Sequence, residues 1–242
     1  AVLLASLWAG ISRVNWFPVP AMLAIALYLL EEPFSNASNL WKYLLQPFLW
    51  AVTGLLAAIL RQALYIPWSG NAENAGDFGT AFTSDLIWSR LLPNATYPMG
   101  VLPGILLVSA PLWIALFFFL RGRAGNWHFI RPLGLFSMLV LLFLGGLVVS
   151  TKIGGGGDIH NMDAYITLLA VIAASFFAGR VIPEKGGPGW GGLPAWLIPL
   201  IVLVPAVFSI SGVAARFTYD RAQAGADLDQ LRAAVADATA HG

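Results

Sequence analysis

Seven apolar runs organise the chain, at about residues 1–12, 16–30, 44–65, 99–120, 132–150, 162–182 and 194–214. A helix needs roughly 20 residues to cross the hydrocarbon core of a bilayer, and most of these runs approach or exceed that length. The first is partial and the second is short or tilted. Inside hydrocarbon, every backbone N–H and C=O has to be satisfied within its own segment, so each run predicts a helix. Trp16, Trp41, Trp50, Tyr65, Trp68, Trp113 and Trp196 recur near the ends of runs, as interfacial aromatics do. Beyond the last run the pattern changes. Ala224, Leu228, Leu231, Val235 and Ala238 form a helical stripe backed by Asp220, Arg221, Asp227, Asp229, Arg232 and Asp237, the spacing of an amphipathic helix outside the bilayer.

The expected fold is therefore all-α: a polytopic transmembrane helical bundle of about seven helices, with outer-face loops and a C-terminal amphipathic helix. Residues 1–214 form the membrane domain, and 215–242 form a connector to a further extracytoplasmic domain. The short first run, its missing methionine and the abrupt close "RAAVADATAHG" read as an N-terminally incomplete piece of a longer protein.

Composition sharpens this picture. Hydrophobic residues make up 58% of the chain and charged residues 10%, against about 25% charged in soluble domains. Too few charges remain to coat a water-facing globule, so the lipid bilayer is the expected surroundings. A net charge of +1 without a basic stripe excludes a nucleic-acid partner. The absence of cysteine removes disulfides and thiolate chemistry. The loop "RGRAGNWHFIR" holds Arg121, Arg123 and Arg131 and is the densest basic loop, which places it in the cytoplasm by the positive-inside rule. Arg180 and Lys185 agree, whereas Arg13, Arg90 and Lys152 then lie outside. Loops 66–98 and 151–161 and the C-terminus fall on the outer face, with Glu31 and Glu32 at a cytoplasmic helix end.

Candidate chemistry concentrates in "STKIGGGGDIHNMDAY", Ser150 to Tyr165. Glycines take positive φ without steric cost, so the amides of Gly154, Gly155, Gly156 and Gly157 can converge into an anion-binding nest. Lys152 supplies a point charge for a phosphate oxygen. His160, Asn161 and Asp163 offer hydrogen bonds at the start of the next helix, whose N-terminal dipole favours an anion. The plainer reading is a flexible hairpin with polar residues at the water interface.

Lys152-Ile153-Gly154, followed by Asn161 at the mouth of an apolar helix, is similar to a "K-x-G…N-Y" loop in membrane glycosyltransferases of the GT-C fold that use polyprenyl-phosphate sugars. The resemblance spans about residues 99–242. It implies an inverting transfer of sugar from a polyprenyl-phosphate donor at the outer face of a bacterial cytoplasmic membrane. Lys152, Gly154 to Gly157, His160 and Asn161 would hold the donor phosphate. No cofactor is identified and no divalent metal is indicated. The sequence departs from the pattern at Met162, where an aromatic is usual, and in lacking a match to the catalytic acid of the family's first outer loop. Asp77, Asp85 and Asp163 are the acids that could take its place.

Three other features stay open. The loop "IPWSGNAENAGDFGTAFTSDLIWSRLLPNATYP" could present Asp77, Asp85 and Arg90 to an acceptor, or could brace the membrane surface. Arg61, within a spanning run, is either functional or snorkels to the interface. "PEKGGPGWGGLP" reads as a tight turn. Against the transferase stand a non-catalytic membrane subunit packed against protein partners in a larger complex and, less supported, a transporter.

Overall fold

The computed structural model describes residues 1–70, 91–93, 99–121, 124–152, 159–184, 189–214 and 221–241. Eight helices and no strand occur among them. They are α1 (Val2–Ala9), α2 (Val19–Glu31), α3 (Leu40–Trp68), α4 (Val101–Leu120), α5 (Ile130–Lys152), α6 (Asp163–Phe177), α7 (Leu197–Ala214) and α8 (Arg221–His241). Short 3-10 turns at Val14–Trp16, Phe34–Asn36, Ala124–Asn126 and His160–Met162 separate several of them. Five segments are long and apolar enough to span a bilayer: Val14–Glu31, Leu40–Trp68, Val101–Leu120, Ile130–Ser150 and His160–Phe177. The chain is an integral membrane protein of the expected all-α class. It divides into two compact units, Ala1–Val207 and Phe208–Gly242. In the second unit, Leu228, Leu231 and Val235 are exposed along α8.

In the first unit, α6 is the central element and packs against α2, α4 and α5. Leu168 and Leu169 are fully buried on it, with Tyr165, Ile172 and Phe176 nearly so. By contrast, α3 is largely peripheral and exposes Phe48, Leu56, Leu60 and Leu64. A water-soluble fold could not leave that stripe open; in a bilayer it is the lipid-facing surface.

Helix boundaries differ from the apolar runs for local reasons. The run at 162–182 overshoots α6, which stops at Phe177. Gly179 adopts φ 68°, and the Arg180 and Gly179 amides donate to Ser175 and Phe176 carbonyls at 2.9 and 3.1 Å. That is a Schellman cap, which only a residue tolerant of positive φ closes cheaply. At the other extreme, α3 begins four residues before the run at 44, because the Asn39 side chain accepts the Lys42 amide at 2.9 Å and caps the helix.

Small residues let α1 lie close on α3, as they do between membrane helices generally. A methyl group added at Gly10 would stand 2.4 Å from the Ala58 carbonyl oxygen and 3.0 Å from its Cα. Neither atom belongs to a movable side chain, so Gly10→Ala has to push the helices apart. We expect it to cost about 1–3 kcal/mol, read as a lower thermal midpoint in detergent. An unchanged midpoint would mean that α1 does not dock this closely.

Candidate functional site

The sequence places polar residues at both ends of the bundle, and contacts between distant segments sort them into two clusters. Arg13, Asn15, Trp16 and His160–Asp163 meet at one end. Glu184, Arg131, Phe34 and Ser35 meet at the other. This grouping matches the alternation of loops expected from the apolar runs.

At the first end, Asp163 is the hub. Its Oδ1 accepts hydrogen bonds from Asn15 Nδ2 at 3.0 Å and from the Ala164 amide at 2.8 Å. Its Oδ2 accepts from Trp16 Nε1 at 2.9 Å. Asn15 Nδ2 also donates to the Asn161 carbonyl at 3.2 Å. Arg13 Nη1 lies 3.6 Å from Asp163 Oδ2 and donates to the His160 carbonyl at 3.5 Å. The loop after α1 thus clasps the chain as it enters α6, across more than 140 residues of sequence. Asp163 also stands in the first turn of α6, where a carboxylate complements the helix dipole.

Next to this clasp, α5 comes close to the same turn. A methyl group at Gly146 would stand 2.9 Å from the Asn161 carbonyl and 2.7 Å from Met162 Sδ. Asn161 and Met162 are both buried. The residue where an aromatic was expected is thus a flexible thioether pressed on a glycine.

The candidate residues fall out as follows. His160, Asn161 and Asp163 are brought together at the clasp, and Lys152 ends α5 a short loop before them. Gly154 to Gly157 lie outside the described residues, as do Asp77, Asp85 and Arg90. Asp163 commits both oxygens to donors from the chain itself. Arg61 sits on the α3 face that meets Gly10. Sequence reasoning missed Asn15 and Trp16; the only available signal was "RVNW" standing polar between two apolar runs.

Just inward from the clasp, an apolar groove runs between α4 and α5 with α6 as its floor. Two adjoining cavities of about 180 and 170 Å³ share Trp113, Phe136 and Leu139 as walls. Tyr165 and Phe143 line the end nearer Asp163, and Trp127 and Phe176 the far end. Trp113 Nε1 donates to the Tyr165 hydroxyl at 2.7 Å. That bond pairs two of the groove's polar side-chain groups with each other, and the Trp127 indole N–H at the far end is buried without a partner.

The second cluster is built around Arg131, whose side chain is fully buried. Nε donates to the Leu29 carbonyl at 2.6 Å, Nη2 to Leu30 and Ile182 carbonyls at 2.9 and 2.8 Å, and Nη1 to Glu184 Oε1 at 3.1 Å. Glu184 also accepts the amides of Phe34 at 3.2 Å and Ser35 at 3.0 Å. Burial pushes the Glu184 carboxyl up, but these amides and the Arg131 guanidinium outweigh it and lower it from 4.5 to about 2. His128, a loop histidine by sequence, stacks on Phe34 with centroids 3.9 Å apart. Every donor and acceptor here is internal, so this cluster ties segments together rather than awaiting a ligand.

No group of three or more His, Asp or Glu able to hold a metal occurs among the described residues. No family model, curated protein or solved structure matches the chain.

Proposed function

We propose that the protein is a membrane glycosyltransferase of GT-C type that takes a sugar from a polyprenyl-phosphate donor at the Lys152–Asp163 loop. The single observation that carries this reading is the vertical order at that end of the bundle. Lys152 at the end of α5 and the turn that leads into Asp163 share that end of the bundle with an apolar groove between α4 and α5. An amphiphile with an anionic head and a long hydrocarbon tail fits both parts; a soluble nucleotide sugar would use only the first. Charge-assisted hydrogen bonds to the head and apolar contact along α4 and α5 then add in one ligand.

The transfer would proceed by attack of an acceptor hydroxyl on the anomeric carbon. The bond from that carbon to the phosphate oxygen breaks, and the polyprenyl phosphate leaves with the electron pair. Lys152 and the glycine amides stabilise the charge that develops on the leaving phosphate. The hydroxyl proton passes to a carboxylate within hydrogen-bond reach. With both Asp163 oxygens engaged, Asp77 and Asp85 in the 66–98 loop are the better acids to test for that role. The loop faces the outer side of the membrane in this reading.

Native mass spectrometry from nanodiscs doped with a long-chain polyprenyl phosphate tests it. The wild-type chain should retain the phosphorylated lipid in preference to the matching polyprenol. Lys152→Ala should weaken retention about tenfold to a hundredfold, the range for losing a hydrogen bond to a charged group. Equal retention of phosphate and alcohol by the wild type would sink the transferase. Co-purification with a fixed stoichiometry of other membrane proteins, without the lipid, would instead favour a non-catalytic subunit.

A further inference from the structure

We infer that the groove between α4 and α5 is a binding site for an ester-linked acyl lipid, whose carbonyl oxygen accepts the hydroxyl proton of Tyr165. The donor reading uses only the apolar wall of that groove and gives this hydroxyl no role.

The hydroxyl is half-satisfied. Tyr165 is 4% exposed, and its oxygen accepts from Trp113 Nε1 at 2.7 Å. Among the described residues the hydroxyl itself donates to nothing. A buried tyrosine usually finds a partner for its O–H, and a buried donor left unmade is costly. Donation from Trp113 into the oxygen also polarises the O–H bond and strengthens it as a donor.

Water does not close that bond. A buried water needs about two to four polar partners. Leu106, Phe136, Leu139, Val140 and Phe143 make up the wall around Tyr165 and Trp113, and none of them carries a polar side-chain atom. An apolar ligand with one acceptor oxygen fits where a water does not.

The setting says which ligand. Both α4 and α5 pack along α6 but touch one another far less, so the groove opens sideways to the bilayer. Leu106, Phe136 and Val140 are exposed along its mouth. Tyr165 stands in the first turn of α6, at the end of the bundle, where tyrosines keep the ring in hydrocarbon and the hydroxyl at the interface. The ester carbonyls of a bilayer lipid lie at that same boundary, with the chains running inward. From Tyr165 the two adjoining cavities continue toward Trp127 and Phe176, along the path of such a chain. The Trp127 N–H is out of reach of the same oxygen, because Phe176, on which its ring packs, lies about 16 Å from Tyr165 along the helix axis. The donor reading places a polyprenyl tail in this groove, so the two lipids exclude one another there.

Native mass spectrometry of the full chain, in nanodiscs made of equal parts of a diacyl phosphatidylcholine and the dialkyl ether lipid of the same chains, tests the carbonyl directly. The wild type should retain the diacyl lipid about twofold to tenfold better, the range for one hydrogen bond. Tyr165→Phe combined with Trp113→Phe, so that no freed indole N–H replaces the hydroxyl, should erase the preference. Trp113→Phe alone should lower the thermal midpoint and keep most of it. Equal retention of the two lipids by the wild type overturns the inference without recourse to any variant. A preference that survives the double variant overturns it too, and with a lowered midpoint marks the pair as a strut between α4 and α6. Loss in Trp113→Phe as complete as in the double variant assigns the donor to the indole and has the same effect. A free fatty acid retained in place of the diacyl lipid puts an acid where the ester belongs, which also refutes it. Failure of the wild type to retain polyprenyl phosphate removes the donor reading and leaves the ester site standing.

Discussion

Replacing Arg131 with methionine should destabilise the protein by about 3–5 kcal/mol, the usual range when one partner of a buried ion pair is removed. The magnitude follows from what is left behind. Methionine fills much of the volume but offers no donor, so the carbonyls of Leu29, Leu30 and Ile182 and Glu184 Oε1 each lose a hydrogen bond. Those acceptors come from the end of α2 and the segment after α6, which the more exposed Arg180–Glu31 pair at 2.8 Å also joins. Removing the charge of its partner at the same time should relieve part of the loss, so Arg131→Met/Glu184→Gln should be more stable than Arg131→Met alone. Chemical denaturation in detergent measures both. A cost below about 1 kcal/mol would place this pair among exposed surface ion pairs and contradict its burial.

The same cluster gives the expected response to acid. Glu184 has a folded value depressed to about 2 from an ordinary 4.5, so its contribution is fully present above about 4.5. It is lost as pH falls from there through about 2, because protonation then costs more in the folded state than in the unfolded one. Stability measured from pH 5 downward should show this limb in the wild type and lose it in Glu184→Gln.

Why Arg131 and Glu184 escaped sequence reading is instructive. Arg131 is one of three arginines in a short loop, and composition treats all three alike as markers of sidedness. Glu184 belongs to "PEKGGPGWGGLP", where glycine and proline dominate and suggest only a turn. Their roles depend on the amides of Phe34 and Ser35, about 150 residues away from Glu184, and no local period encodes such a meeting. The helices were legible for the opposite reason. Each satisfies its own backbone and needs only an apolar run, so α4 at Val101–Leu120 differs from the run at 99–120 by two residues. At the candidate site, the turn at His160 and the start of α6 could be read from the change in polarity. The clasp could not, because Asn15 and Trp16 become meaningful only once Asp163 is opposite them.

Asp163 separates a structural from a chemical role at this site most sharply. Asp163→Ala should cost about 3 kcal/mol, since it strips an acceptor from Asn15, Trp16 and the Ala164 amide together, each worth roughly 1–3 kcal/mol when buried. Asp163→Asn keeps an oxygen for Asn15 and the Ala164 amide but turns an amide toward Trp16 Nε1, donor against donor. It should cost about a third as much, by loss of one hydrogen bond rather than three. It also removes the negative charge 3.6 Å from Arg13 Nη1, an exposed pair worth about 0–1 kcal/mol, so polyprenyl phosphate retention should change little. A general base behaves differently: its amide variant keeps stability and lipid binding while sugar transfer drops about 10²–10⁴-fold. Measuring midpoint, lipid retention and transfer on Asp163→Asn therefore assigns the residue. A lower midpoint with transfer reduced only in proportion to lipid occupancy is the expected result, because three of that carboxylate's lone-pair positions already meet Asn15, Trp16 and Ala164.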